Sequence, residues 1–261
     1  MSILTRLWGL VGGPDFRSAI DYHFNLEGKF LSFRVPVTHI DLDDMMPVDI
    51  NINDEQFIGQ YITSFGPVIF IPINTWRWNY SSRLLYNNAA ASVSLSVRVR
   101  KVKSKCPIPN EQAMKEYLTW EYDDYYENGV NQGKKGFNRY QRERVLDFFQ
   151  RKYGYGHEKI DFSQEMKEHL DGLLKTVPQE SDYHHYKGVD NTWVYFFLKK
   201  EMNFPASHYC FRLDDYNILD FVFTYMSDEY ALDEKILDVR HDLEKRIMDT
   251  VSITSGVMLT N

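Results

Sequence analysis

The stretch from Ser92 to Arg100 constrains this chain more than any other, because Val93, Leu95, Val97 and Val99 alternate with Ser94, Ser96, Arg98 and Arg100. A period of two is what a strand with one buried face requires, since successive side chains leave a pleated backbone on opposite sides. The alternation predicts a strand central to the fold with its aliphatic row buried. Val102 falls out of phase, so a bulge or strand end is expected near Lys101.

Residues 30 to 38 repeat the period through Leu31, Phe33, Val35 and Val37, and Pro36 points to an edge strand. Gln56 to Thr63 and Val68 to Ile73 read as strands around a turn at Ser64 to Pro67, the second buried on both faces. After Cys106 to Asn110 the period changes. Asn110 is placed to cap a helix carrying Met114, Tyr117, Leu118 and Tyr122, and further helices are expected over Arg139 to Tyr153 and Phe162 to Leu174. Strands return at Thr192 to Leu198, Tyr209 to Leu213 and Ile218 to Met226, the last two joined by a hairpin turn at Asp214 to Asn217. Leu232, Ile236, Val239, Leu243, Ile247 and Val251 then recur at helical spacing.

This order predicts an α+β fold: largely antiparallel sheet(s), a central helical segment and a C-terminal amphipathic helix packed on the sheet. A single compact domain over 1–261 is expected, the alternative being two lobes, 1–105 and 110–261. Met1 to Pro14 reads as a short amphipathic helix ended by Gly12-Gly13-Pro14, because its apolar run is broken by Thr5 and Arg6 as an export signal would not be.

Thirty basic against 37 acidic residues give a net charge of -7, which disfavours a general nucleic-acid binder. Only Cys106 and Cys210 are present, with no C-x-x-C pair, so a reduced, cytoplasmic chain without disulfides or a bound cofactor is expected. Eighteen Tyr, 17 Phe and 5 Trp make 15% of the residues aromatic, a type that serves contact surfaces as well as cores.

His39, Asp41 and Asp43 offer mixed nitrogen and oxygen ligands to a divalent metal, yet the segment matches neither an EF-hand loop nor H-E-x-x-H. With Asp44, Asp49, Asp54 and Glu55 the same stretch reads better as an acidic contact for a basic protein. Glu121 to Glu127 sets four carboxylates, Glu121, Asp123, Asp124 and Glu127, among three tyrosines near a helix C-terminus, where they oppose the helix dipole; pairing with the Arg139 to Arg151 helix is one outlet for that charge. Tyr183-His-His-Tyr186 reads as a surface loop, and Cys210 shares a strand face with His208 and Arg212 as packing or as an activated thiol. Arg98, Arg100, Lys101, Lys103 and Lys105, with the basic segment Lys134 to Lys152, form a minor alternative site for an anion or RNA.

No nucleophile elbow or phosphate loop is present. The expectation is therefore a non-catalytic protein of bacterial character that binds another protein with a basic surface, as an immunity-type inhibitor occludes a toxin. Its binding residues would be Asp41, Asp43, Asp44, Trp76, Trp78, Glu121, Asp123 and Asp124, the tryptophans filling an apolar pocket. The alternative is a metal-assisted hydrolase or nuclease using His39, Asp41 and Asp43.

Overall fold

A computed structural model describes residues 10–38, 46–82, 85–103, 105–129, 135–153, 163–201, 203–227 and 240–256. The fold is α+β and its sheets are antiparallel apart from one short parallel pairing. The main sheet runs in the order β1 (Leu10–Gly12), β6 (Val68–Ser82), β7 (Leu85–Lys101), β11 (Asn217–Ser227), β10 (Phe204–Arg212), β9 (Thr192–Glu201) and β8 (His184–Lys187), with β5 (Thr63–Phe65) beside β6. A small sheet has the order β12 (Ser252–Ser255), β3 (Lys29–Pro36), β2 (Ala19–Leu26) and β4 (Asp49–Ile50). Strands from both sides of the Cys106 to Asn110 link pair with each other in both sheets, β7 with β11 and β3 with β12.

β7 is central, as its alternation requires: Val93, Leu95, Val97 and Val99 are all buried, and the strand ends at Lys101. Its aliphatic row joins Trp76 and Trp78 of β6, Phe221 and Phe223 of β11, and Phe24, Leu31, Phe33 and Val35 of the small sheet in one core. The opposite face is covered by α2 (Glu111–Asp123), whose Met114, Tyr117, Leu118 and Tyr122 are buried with Phe196, Leu198 and Ile218. The Asn110 side chain accepts from the Ala113 amide at 2.9 Å and so caps α2, as expected. A π-helical turn at Asp124–Asn128 follows, then α3 (Phe137–Tyr153) and α4 (Ser163–Leu173), packed on each other. Among the described residues no helix is long and apolar enough to cross a membrane.

Several expectations are corrected. Gln56 to Thr63 is mostly helix α1 (Glu55–Tyr61) rather than strand, because the Asp54 carboxylate accepts from the Phe57 amide at 2.7 Å and starts a helical turn. Val68 to Ile73 is buried only in part, for Ile69 reaches solvent. β3 lies inside its sheet; Pro36 is tolerated because β12 pairs only with Lys29 to Ser32 and asks no amide of it. Leu10–Gly12 is a strand, not the end of a helix, and Gly13 lies so close to the Tyr80 ring that a Cβ there would stand 2.4 Å from it. Tyr183 to Tyr186 is largely edge strand β8, with His184 and His185 exposed. The last helix is described as α5 (Arg240–Met248), with Leu243 and Ile247 buried, and leads into β12; Leu232, Ile236 and Val239 lie outside the described residues.

Candidate functional site

The main sheet sends two opposite sets of side chains from the same strands. Arg98 and Arg100 leave β7 on the face away from the aliphatic row and enter a buried ion cluster beneath α2. Asp220 Oδ2 on β11 accepts from Arg98 Nη2 at 3.0 Å and from Arg100 Nη2 at 2.8 Å. Arg100 Nη1 donates to Glu121 Oε2 at 2.9 Å, and Tyr117 donates its hydroxyl proton to Glu121 Oε1 at 2.8 Å. On the other side His208 lies between Asp220 Oδ1, 3.2 Å from Nδ1, and Glu201 Oε2, 3.0 Å from Nε2. Tyr122 returns the path to α2 by donating to Glu201 Oε1 at 2.7 Å.

The charges in this cluster set one another's titration. Burial works against the Asp220 carboxylate, yet Arg100, His208 and Arg98 hold it well below the usual carboxylate range. Glu201, also opposed by burial, is brought down to about 2 chiefly by His208. Burial pushes the Cys210 thiol up, and the neighbouring Asp220 adds to this, so Cys210 is packing and not an activated thiol. All of these side chains are sealed from solvent; Arg100, His208, Cys210 and Asp220 are each 0% exposed. The cluster lies in the interior and links helix to sheet.

The expected contact residues separate accordingly. Trp76 and Trp78 are buried in the core between the sheets, where Trp76 packs edge-on against Phe33 and Tyr22, so they are not surface anchors. Glu121 is likewise interior, held by Arg100. Asp124 is buried with Lys103 Nζ at 3.7 Å. Arg98 and Arg100 are committed to carboxylates and are unavailable to phosphate. His39, Asp41, Asp43 and Asp44 lie outside the described residues. Elsewhere, among the described residues, no three His, Cys, Asp or Glu side chains are grouped to hold a metal. Glu127 pairs with Arg142 of α3 at 2.5 Å, the intramolecular outlet that its sequence context suggested.

Of the expected contact residues, Asp123 borders an open groove. A groove of about 380 Å³ lies between the outer face of α2 and the turn at Glu180–Asp182, lined by Gln112, Glu116, Thr119, Trp120, Asp123 and Glu180, among others. Burial first, then the neighbouring Glu127 and Asp124, push the Asp123 carboxyl up, against the Asn128 amide that donates to it. Lys115 also borders the groove but is held by Glu111 at 2.7 Å. Trp120 already carries the Lys103 ammonium 4.5 Å from its ring centroid. The signal for this groove in the sequence is the recurrence of Gln112, Glu116, Thr119 and Asp123 at helical spacing opposite the buried stripe of α2. Comparison with protein-family models, curated proteins and solved structures finds no match to this chain.

Proposed function

We propose that this chain is a non-catalytic protein-binding protein and that the groove on α2 receives a basic segment of its partner. The observation that supports this is the groove itself, whose lining includes three acidic residues, Glu116, Asp123 and Glu180, together with Trp120. A lysine or arginine entering there would gain ion pairs with these carboxylates. Occlusion of a basic cleft, as an immunity-type inhibitor acts on a toxin, is the form of binding this favours, and two free cysteines fit a cytoplasmic setting. The burial of the richest ionisable cluster supports a binding role over catalysis.

The test is paired affinity capture from the native cell, using the wild-type chain and the triple variant Glu116→Gln, Asp123→Asn, Glu180→Gln. A basic protein retained by the wild type and lost by the variant, with unchanged thermal melting of the bait, is the expected result. Equal retention by both baits removes the groove from the interface.

A further inference from the structure

We infer that His208 is an imidazolium in the folded chain at neutral pH, closing the ring of hydrogen bonds that holds α2 on the main sheet, and that raising the pH loosens α2. Both ring nitrogens of His208 face carboxylate oxygens, Asp220 Oδ1 at Nδ1 and Glu201 Oε2 at Nε2. An ionised carboxylate only accepts, so both nitrogens must donate, and only the protonated ring has two N–H groups.

The remaining acceptor positions leave little room for a different proton count. Glu201 Oε1 already accepts from Tyr122, Asp220 Oδ2 from Arg98 and Arg100, and Glu121 accepts at both oxygens from Arg100 and Tyr117. The cluster then sets three cations, Arg98, Arg100 and His208, against Asp220, Glu201 and Glu121; burial pushes the Glu121 carboxyl up, while Arg100 and the Tyr117 hydroxyl, both donating to it, favour its ionised form. Every packed element contributes: β7 the arginines, β9 Glu201, β10 His208 and Cys210, β11 Asp220, and α2 Tyr117, Glu121 and Tyr122. Phe196 lies flat on the imidazole at 4.5 Å between centroids and shields it from water. Loss of the His208 proton would leave one carboxylate uncompensated in a dry interior, a costly state. Because the path leaves α2 at Glu121 and returns at Tyr122, the break falls on the docking of that helix.

Burial opposes the charged ring, but Glu201 and Asp220 prevail and raise the His208 pKa above its ordinary value. A raised folded-state pKa contributes stability that is complete below the unfolded value near 6.5 and is lost as pH rises through the folded one. Between those two values the folding equilibrium should fall by about tenfold per pH unit.

The experiment uses the full chain labelled with ¹⁵N at its histidines. At pH 7, one buried histidine, assigned to His208 through its contacts with the Phe196 ring, should show both ring nitrogens protonated. A neutral tautomer there overturns the inference. Urea unfolding of a Cys210→Ala background between pH 7 and 8 should show the falling stability, the substitution removing a buried thiol whose own titration would add to the slope. Amide exchange, corrected for its intrinsic pH dependence, should rise in α2 before it rises in β7 and β11; an α2 that keeps its protection relative to those strands from pH 7 to 9 rejects the loosening. The ring-nitrogen measurement needs no variant at His208, so a misfolded His208→Gln would not decide the matter.

Discussion

Both faces of the main sheet are buried against apolar groups, and the face under α2 adds a cluster of paired charges. Toward the small sheet, β6, β7 and β11 present Trp76, Trp78, Leu95, Val97, Phe221 and Phe223 to other apolar groups. Toward α2, β7 and β11 present Arg98, Arg100 and Asp220 beside Ile218. The first face is held by area removed from water, which is non-directional and tolerates repacking of similar volume. The second adds partners that must be present and correctly placed, since a charge left alone in a dry site has no substitute for water. Register explains why the arrangement is consistent: Arg98 lies directly opposite Asp220 and Val97 opposite Phe221 in the antiparallel ladder, so one pairing serves both faces. A slip of one residue would put arginine into the aromatic core.

This contrast breaks most sharply at Asp220. Asp220→Ala leaves Arg98, Arg100 and His208 short of their shared acceptor, and should cost about 3–5 kcal/mol in urea unfolding at pH 7. A cost under about 1 kcal/mol would mean that the cluster is hydrated and not a dry lock. On the apolar face, Leu95→Ala should cost about 2–5 kcal/mol through lost burial and a residual cavity. The two variants should differ in pH response more than in size. The Leu95→Ala loss should be the same at pH 6 and pH 8, whereas Asp220→Ala should alter the pH dependence of stability, because His208 loses one of its two carboxylates. Equal profiles would place both faces in the same physical class. The smallest effect belongs to Tyr122→Phe, which deletes one hydroxyl and leaves Glu201 Oε1 without its donor, at about 1–3 kcal/mol. A neutral Tyr122→Phe would show that the return path to α2 carries no stability.

Much of this was legible in the residue order. The period of β7, the Asn110 cap, the buried stripe of α2 and the Asp214 to Asn217 hairpin each follow from local rules that act within a few residues. Ile20, Tyr22, Phe24 and Leu26 of β2 carry the same alternation, so that strand too is written in the residue order. The helix at Glu55–Tyr61 was misread because its apolar residues suit either period, and the Asp54 cap decides between them. The candidate site was less accessible. Asp123 was named among the contact residues, but its groove partner Glu180 lies on a turn far along the chain.

What the sequence by itself determined is the alternation that makes β7 two-faced and the helical stripe that buries one side of α2, since both depend on backbone periodicity. Only the tertiary structure decided what each polar face meets. Arg98 and Arg100 looked like a basic surface until β11 brought Asp220, and α2 Glu121, against them. Trp76 and Trp78 looked like surface anchors until the small sheet closed over them. The period of a strand fixes which side a residue takes, but whether that side is wet or dry depends on the segments packed over it, and those are joined through contacts that no local pattern encodes.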